Sequence, residues 1–78
     1  MAPKLPVLKP TVVVKALLRA DFYIHHQSGS HIQLRHNLRL HLRVTVPFHS
    51  RFDLPPFVIL SILKQSELTR EQLLSLIK

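Results

Sequence analysis

Residues 31–46 read HIQLRHNLRLHLRVTV, and this stretch decides the fold because apolar and polar side chains alternate along it. Alternation with a period of two is typical of β-strands that bury one face. In the first run, residues 31–35, Ile32 and Leu34 face one way. The second run, residues 38–46, has on its inner face Leu38, Leu40, Leu42, Val44 and Val46. Asparagine tolerates the left-handed backbone of tight turns, so Asn37 is predicted to be the turn of a hairpin.

The outer face of this predicted hairpin is polar and mostly basic. Its side chains are His31, Gln33, Arg35, Arg39, His41, Arg43 and Thr45. Pro47 cannot donate a hydrogen bond to a neighbouring strand and is therefore predicted to end the second run. The hairpin thus has one face suited to a core and one face suited to an anionic partner.

The segment before the hairpin is predicted to hold a helix and another strand. Pro10 suits the first position of a helix, and residues 11–20, TVVVKALLRA, place Val13 and Leu17 on one face. Alternation from Phe22 to Gln27 predicts a short strand. In that strand Phe22, Ile24 and His26 are expected to face one way, and Tyr23, His25 and Gln27 the other. Residues 28–30, Ser-Gly-Ser, contain the only glycine of the chain and are predicted to form the turn into the hairpin.

The segment after the hairpin is predicted to be helical. Pro55 and Pro56 begin a helix that runs through about Gln65, with a core face of Ile59, Ile62 and Leu63. Phe57 and Leu60 lie on its other side and are expected to be at least partly exposed. Residues 69–72, TREQ, fit a capping box that begins a short terminal helix. The predicted fold is therefore α+β: helix, three-stranded antiparallel sheet, helix and short C-terminal helix, in two layers, with residues 1–78 as a single domain.

The composition of the chain indicates an anionic partner. Eleven lysines and arginines against four acidic residues give a net charge of +7 and a pI near 11.0, which favours nucleic acid. An anionic membrane surface is the competing partner, but no stretch approaches the roughly 20 apolar residues of a membrane span. The N-terminal residues lack the continuous apolar segment of a signal peptide, so the expected location is the cytoplasm.

A metal centre or other cofactor is not expected. The chain has six histidines but no cysteine. His31, His36 and His41 are spaced by five residues, which in strands alternates between the two faces. His25 and His26 likewise point in opposite directions in a regular strand. Histidine is therefore more suited here to proton transfer or phosphate contact than to metal ligation.

Four segments, in this order and spacing, resemble the HicA family of small prokaryotic toxins that cleave messenger RNA. They are residues 8–22, LKPTVVVKALLRADF; residues 27–36, QSGSHIQLRH; residues 44–49, VTVPFH; and residues 60–76, LSILKQSELTREQLLSL. The resemblance implies a fold like that of double-stranded-RNA-binding domains and a HicB-like antitoxin as partner. It also implies that His31 is the catalytic histidine and that Ser28, Gly29 and Ser30 form the turn that presents it.

The sequence departs from the family pattern at several surface positions. Aspartate occupies position 21, where glycine is common before the aromatic residue of the first strand. The other departures are Leu18, Phe57, Leu60 and Glu67. The inward-facing pattern is intact, so these departures bear on the partner or RNA recognised and not on the fold.

The chemistry that this resemblance implies needs no metal, because the 2′-hydroxyl of RNA is a built-in nucleophile. Histidine suits the proton transfers because its ordinary pKa of about 6.5 leaves both protonation states available near neutral pH. His31 is thus the candidate general acid or base, and a turn of small residues lets the backbone approach a phosphate. The candidate phosphate contacts are Lys15, Arg35, Arg39, Arg43, Arg51 and His49.

Two alternatives remain open at the level of the sequence. A non-catalytic double-stranded-RNA binder would share the fold and the charge, and the Gly-Ser-His motif is the feature that favours a nuclease. A structural or oligomerising module is compatible with either, because Phe57 and Leu60 make the second helix apolar on nearly all sides. An acidic antitoxin is expected to bind across Arg39, His41 and Arg43.

Overall fold

The computed structural model describes residues 6–49 and 52–77, which form three helices and one three-stranded sheet. The elements are α1 (Pro10–Arg19), β1 (Phe22–Ser28), β2 (His31–His36), β3 (Arg43–Pro47), α2 (Pro56–Ser66) and α3 (Arg70–Ile77). This is the predicted α+β order, with helices before and after the sheet. None of the described helices is long and apolar enough to cross a membrane.

The sheet is antiparallel throughout and has the strand order β1-β2-β3. Ile32 pairs with Val46 and Leu34 pairs with Val44, so four apolar side chains meet on the inner face of the β2–β3 ladder. All four are buried. Alternation on β2 and on the second half of the predicted second strand therefore identified the inner face correctly.

The helices cover this inner face and complete the hydrophobic core. Val13 and Leu17 on α1, Ile59 on α2 and Leu73 on α3 are fully buried in one cluster with the inner-face residues. Burying a side chain of this size contributes about 1.5–3 kcal/mol to the stability of the folded state. Since both helical segments lie on one side of the sheet, the other side is left open.

The predicted capping box at α3 is confirmed in both of its hydrogen bonds. The Gln72 backbone N–H donates to Thr69 Oγ1 at 3.1 Å, and the Thr69 N–H donates to Gln72 Oε1 at 2.9 Å. These bonds satisfy donors that have no partner within the first turn of a helix. Local sequence chemistry therefore sets the start of α3.

The predicted strand over residues 38–46 is wrong in its first half, because β3 begins only at Arg43. Leu38 and Leu40 are 77% and 74% exposed, and they lie in an irregular connection with Arg39 and His41. Arg39 and His41 are therefore not on the outer face of the sheet beside Arg43, as the alternation had predicted.

Competing hydrogen bonds explain why residues 37–42 leave the ladder. The backbone and side-chain amides of Asn37 both donate to the carbonyl oxygen of Asp21 at 2.9 Å. His36 Nδ1 accepts the backbone N–H groups of Leu38 at 3.1 Å and of Arg39 at 2.9 Å. The backbone N–H groups that a tight hairpin would use in the ladder therefore bind the Asp21 carbonyl and the His36 ring instead. Asn37 thus begins the connection but does not form a two-residue turn.

The predicted alternation of β1 is interrupted by a bulge. Ile24 pairs with Leu34 and His26 pairs with Gln33, so His25 is the extra residue on β1. Residues paired across a ladder share a face, and the extra residue reverses the alternation beyond it. His26 therefore lies on the outer face with Gln33, whereas a regular strand would have placed it with Phe22.

Positive φ angles among the described residues occur at Asp21 (74°), Gly29 (43°) and Glu67 (61°). Asp21 connects α1 to β1, Gly29 lies in the turn between β1 and β2, and Glu67 is the C-cap of α2. Left-handed backbone favours glycine because it has no Cβ. Asp21 and Glu67, which depart from the family pattern, are thus the two described non-glycine residues held in this conformation.

Candidate active site on the open face of the sheet

The outer face of the sheet, called here the open face, is a grid of nine residues in three rows. Each row takes one residue from β1, one from β2 and one from β3, as the ladder register requires. The rows are Ser28–His31–Pro47, His26–Gln33–Thr45 and Tyr23–Arg35–Arg43. Rows along a strand are about 6.6 Å apart, and neighbouring strands are about 4.8 Å apart. The face is therefore wide enough to lie against a stretch of polynucleotide.

His31 is the first residue of β2 and follows directly after the small-residue turn. Its ring atom Nδ1 lies 3.1 Å from Ser30 Oγ. The carbonyl oxygen of Ser30 accepts the backbone N–H of Phe48 at 2.6 Å, which ties the turn to the end of β3. The side chain of His31 is exposed on the open face. The turn thus holds an accessible imidazole on a strand that is fixed from both sides.

Gly29 has a conformational role in this turn. Its φ of +43° is strained for residues with a side chain, while a Cβ added there would meet nothing within 4 Å. Glycine is therefore favoured by the backbone angle and not by close packing. The space above the turn remains open to a ligand.

Arg35 and Arg43 face each other across β2 and β3. Like charges in directly opposed positions destabilise a sheet, so such a pair usually has anionic partners. Among the described residues, neither guanidinium has an ion pair with a carboxylate. A cavity of about 200 Å³ lies between them and is lined by Gln33, Leu34, Arg35, Arg43, Val44 and Thr45. Two guanidinium groups, an amide and a hydroxyl around one concavity suit a phosphate.

Arg39 and His41 form a separate cluster with Glu67, at the C-terminal end of α2. Arg39 Nη2 donates a hydrogen bond to Glu67 Oε1, and His41 Nε2 lies 3.6 Å from Glu67 Oε2. The hydrogen bond from Arg39, together with the positive charges of Arg39 and His41, lowers the pKa of the Glu67 carboxyl. The carboxylate therefore neutralises part of the basic charge in the 37–42 connection, which leaves Arg35 and Arg43 as the arginines of the open face.

The remaining described candidate phosphate contacts, Lys15 and His49, are not among the nine residues of the open face. Lys15 is exposed on α1, in the helical layer behind the sheet. His49 follows β3 and makes an edge contact with the ring of Phe52, with centroids 6.5 Å apart. It is two residues beyond Pro47, which pairs with His31, so it is near the same end of the sheet. Arg51 lies outside the described residues.

His26 and Gln33 are open-face residues that the sequence did not identify as candidates. Gln33 was on the predicted outer face but had no assigned role, and His26 was assigned to the inner face. Periodicity carries no signal for a bulge, because either of two adjacent residues, here His25 and His26, can be the extra one. The ladder register was needed to decide between them.

Phe57 and Leu60 on α2 are 71% and 44% exposed, which confirms that they are not part of the core.

No group of three or more histidine, cysteine or acidic residues that could hold a metal ion occurs within residues 6–49 and 52–77.

Comparison with known families gives one match that covers most of the chain. The family described as "HicA toxin of bacterial toxin-antitoxin" matches residues 12–68, from α1 through the end of α2. The matched segment contains the whole sheet, the small-residue turn and His31. Among curated individual proteins, none matches the chain significantly.

Proposed function

The chain belongs to the HicA toxin family of bacterial toxin–antitoxin systems, and we propose that it is an endoribonuclease that cleaves messenger RNA without a metal. His31 is the catalytic histidine, and residues 1–78 act as one toxin domain in the cytoplasm. The observation that carries this proposal is the exposed His31 beside the Ser-Gly-Ser turn, on the same face as two arginines without carboxylate partners.

The reaction that suits this face is transfer within the RNA. The 2′-oxygen forms a bond to the neighbouring phosphorus, and the bond from phosphorus to the 5′-oxygen breaks. One proton must leave the 2′-hydroxyl and one must reach the departing 5′-oxygen. His31 carries out one of these transfers, since an imidazole near neutral pH can accept or donate a proton. The products are a 2′,3′-cyclic phosphate and a 5′-hydroxyl.

The RNA backbone is held by two groups of contacts. The turn of Ser28, Gly29 and Ser30 lets the phosphate approach the main chain beside His31. Arg35 and Arg43 bind a phosphate further along the strand, because their opposed charges are relieved by an anion. Lys15, Arg39, His49 and Arg51 supply further contacts with a longer RNA.

The protein partner is a HicB-like antitoxin with a net negative surface. An acidic protein that covers the open face would occupy the same arginines as RNA and so exclude it. Phe57 and Leu60 are available to a second interface. We propose that the toxin self-associates through α2 at these residues.

The test is the cleavage of RNA by purified wild-type protein and by His31→Ala, in the presence of EDTA. General acid–base catalysis contributes roughly 10²- to 10⁴-fold to rate, so His31→Ala should lose about that factor. RNA binding should be almost unchanged, because the small-residue turn and the arginines of the open face supply the proposed phosphate contacts. His41→Ala is the matched control, since it removes an exposed histidine from the 37–42 connection and should cleave at the wild-type rate.

Three outcomes would count against the proposal. If wild-type cleavage stops on addition of EDTA, the reaction depends on a metal. If folded His31→Ala cleaves at the parental rate, His31 is not the catalyst. Binding of double-stranded RNA by wild-type protein with no cleavage would favour the non-catalytic alternative.

A further inference from the structure

From the bulge in β1, we infer that His26 is the second proton-transfer group of the active site and works as a pair with His31. This inference rests on the proposed ribonuclease function. It concerns a residue that the alternation of the sequence assigned to the wrong face.

The bulge brings the two histidines to adjacent rows of the open face. His26 pairs with Gln33, and Ser28 pairs with His31. His26 is thus the diagonal neighbour of His31 across the β1–β2 ladder, and such neighbours are about 7–8 Å apart at Cα. Their side chains leave the sheet on the same side, so both imidazoles border the space above Gln33.

This spacing suits the chemistry of in-line displacement. The attacking 2′-oxygen and the leaving 5′-oxygen lie on opposite sides of the phosphorus, so the two protons must be handled from opposite sides. A single imidazole beside the phosphate reaches one of these oxygens more readily than both. Two imidazoles that flank one phosphate can serve both: one accepts the proton from the 2′-hydroxyl as the O2′–P bond forms, and the other gives a proton to O5′ as the P–O5′ bond breaks.

The surroundings of His26 leave it available for this role. Its side chain is exposed and makes no hydrogen bond or ion pair with another described residue. The titratable or charged side chains near it are His31 on one diagonal, Arg35 on the other, Tyr23 on the same face of β1, and the adjacent His25. Gln33, directly opposite, can donate its amide to the phosphate that lies between the two histidines.

The histidines elsewhere in the described chain are less suited to partner His31. His36 accepts two backbone N–H groups through Nδ1 and packs its ring against Phe22, with centroids 4.9 Å apart. His41 interacts with Glu67, and His49 contacts Phe52. His26 is the histidine that a ladder pair, with Gln33, places on the open face with His31.

The first experiment measures cleavage of one RNA by His26→Ala and His26→Gln. Both variants should lose about 10²- to 10⁴-fold in rate, because neither alanine nor glutamine exchanges a proton near neutral pH. Both should keep the RNA affinity of the wild type to within a few fold. Gln27→Ala is the matched control: Gln27 is the next residue of β1 but pairs with Ile32 and faces away from His31, so it should cleave at the wild-type rate. Thermal unfolding of each variant establishes that it is folded.

The second experiment uses a substrate in which sulfur replaces the bridging 5′-oxygen at the cleaved linkage. A thiolate leaves without protonation, since thiols have pKa values near 8.5, far below those of alcohols. Loss of the general acid is therefore rescued on this substrate and loss of the general base is not. We expect rescue of one, and only one, of His26→Ala and His31→Ala, which also assigns the acid. The bell-shaped pH profile of the wild type should lose one limb in each variant.

Each other outcome overturns the pairing. A folded His26→Ala protein that cleaves at the wild-type rate, while His31→Ala is inactive, would refute the role of His26 and leave the proposed function intact. Rescue of both variants, or of neither, would show that the two histidines do not divide the proton transfers. An inactive wild-type protein would instead refute the proposed function itself.

Discussion

The left-handed backbone at Asp21 predicts an unusual order of stability among its variants. Its φ is 74°, in the left-handed region that favours glycine. We therefore expect Asp21→Gly to be more stable than Asp21→Ala. Within a helix or strand the order is reversed, since glycine there makes the protein less stable than alanine does.

The magnitude follows from comparing the two variants. Both lose the hydrogen bond of 2.8 Å from Asn37 Nδ2 to Asp21 Oδ1, so this loss cancels in their difference. Alanine keeps a Cβ and with it the cost of roughly 1–2 kcal/mol for left-handed backbone. Glycine avoids this cost, but it gives the unfolded chain more conformational freedom, which lowers the stability of the glycine variant by about 0.4–1 kcal/mol. The net advantage of glycine is about 1 kcal/mol.

Urea and thermal unfolding of the two variants measure this difference. For a domain of this size, 1 kcal/mol changes Tm by about 4–8 °C. Ala20→Gly is the matched control one residue earlier, where φ is −91° and left-handed strain is absent. There glycine should lower the stability by at least about 0.4–1 kcal/mol. If Asp21→Gly is no more stable than Asp21→Ala, residue 21 does not have a left-handed backbone and the reasoning fails.

Two further predictions concern the surface of the protein. The pKa of Glu67 is lowered in the folded state, so its ion pairs stabilise the fold above the unfolded value of 4.5, and this contribution is lost as pH falls through the folded pKa. The free energy of unfolding of Glu67→Gln should therefore fall less than that of the wild type when the pH is lowered below 4.5. An equal fall in the two proteins would contradict this. The double variant Phe57→Glu, Leu60→Glu should remain folded, because both side chains are exposed. It should also shift any self-association seen by analytical ultracentrifugation toward monomer; an unfolded variant would show that these residues stabilise the core.

The order of the elements and most of the core could be read from the sequence. Helix periodicity gave the buried faces of α1 and α2, and the capping box marked the start of α3 because its two hydrogen bonds join residues only three apart. Alternation identified the inner face of β2. The order and spacing of four segments, one of which contains Gly-Ser-His, led to the family that matches residues 12–68. The helix, capping and strand signals depend on residues close together in the chain.

The layout of the candidate site was decided by contacts between residues far apart. Asn37 leaves the hairpin because its amides bond to Asp21, which is 16 residues earlier. Arg39 is held by Glu67, which is 28 residues later. Alternation extends a strand regardless of such partners, so it carried residues 38–42 onto the sheet. The tertiary hydrogen bonds removed Arg39 from the open face.

The sequence by itself determined which residue types the chain has for RNA chemistry, and where the strand that carries His31 begins. Only the tertiary structure decided which of them share a face. A strand's side-chain pattern has a period of two, so one extra residue at His25 reverses every assignment beyond it. The position of that extra residue is set by the pairing of β1 with β2, and this pairing brings His26 to the side of His31.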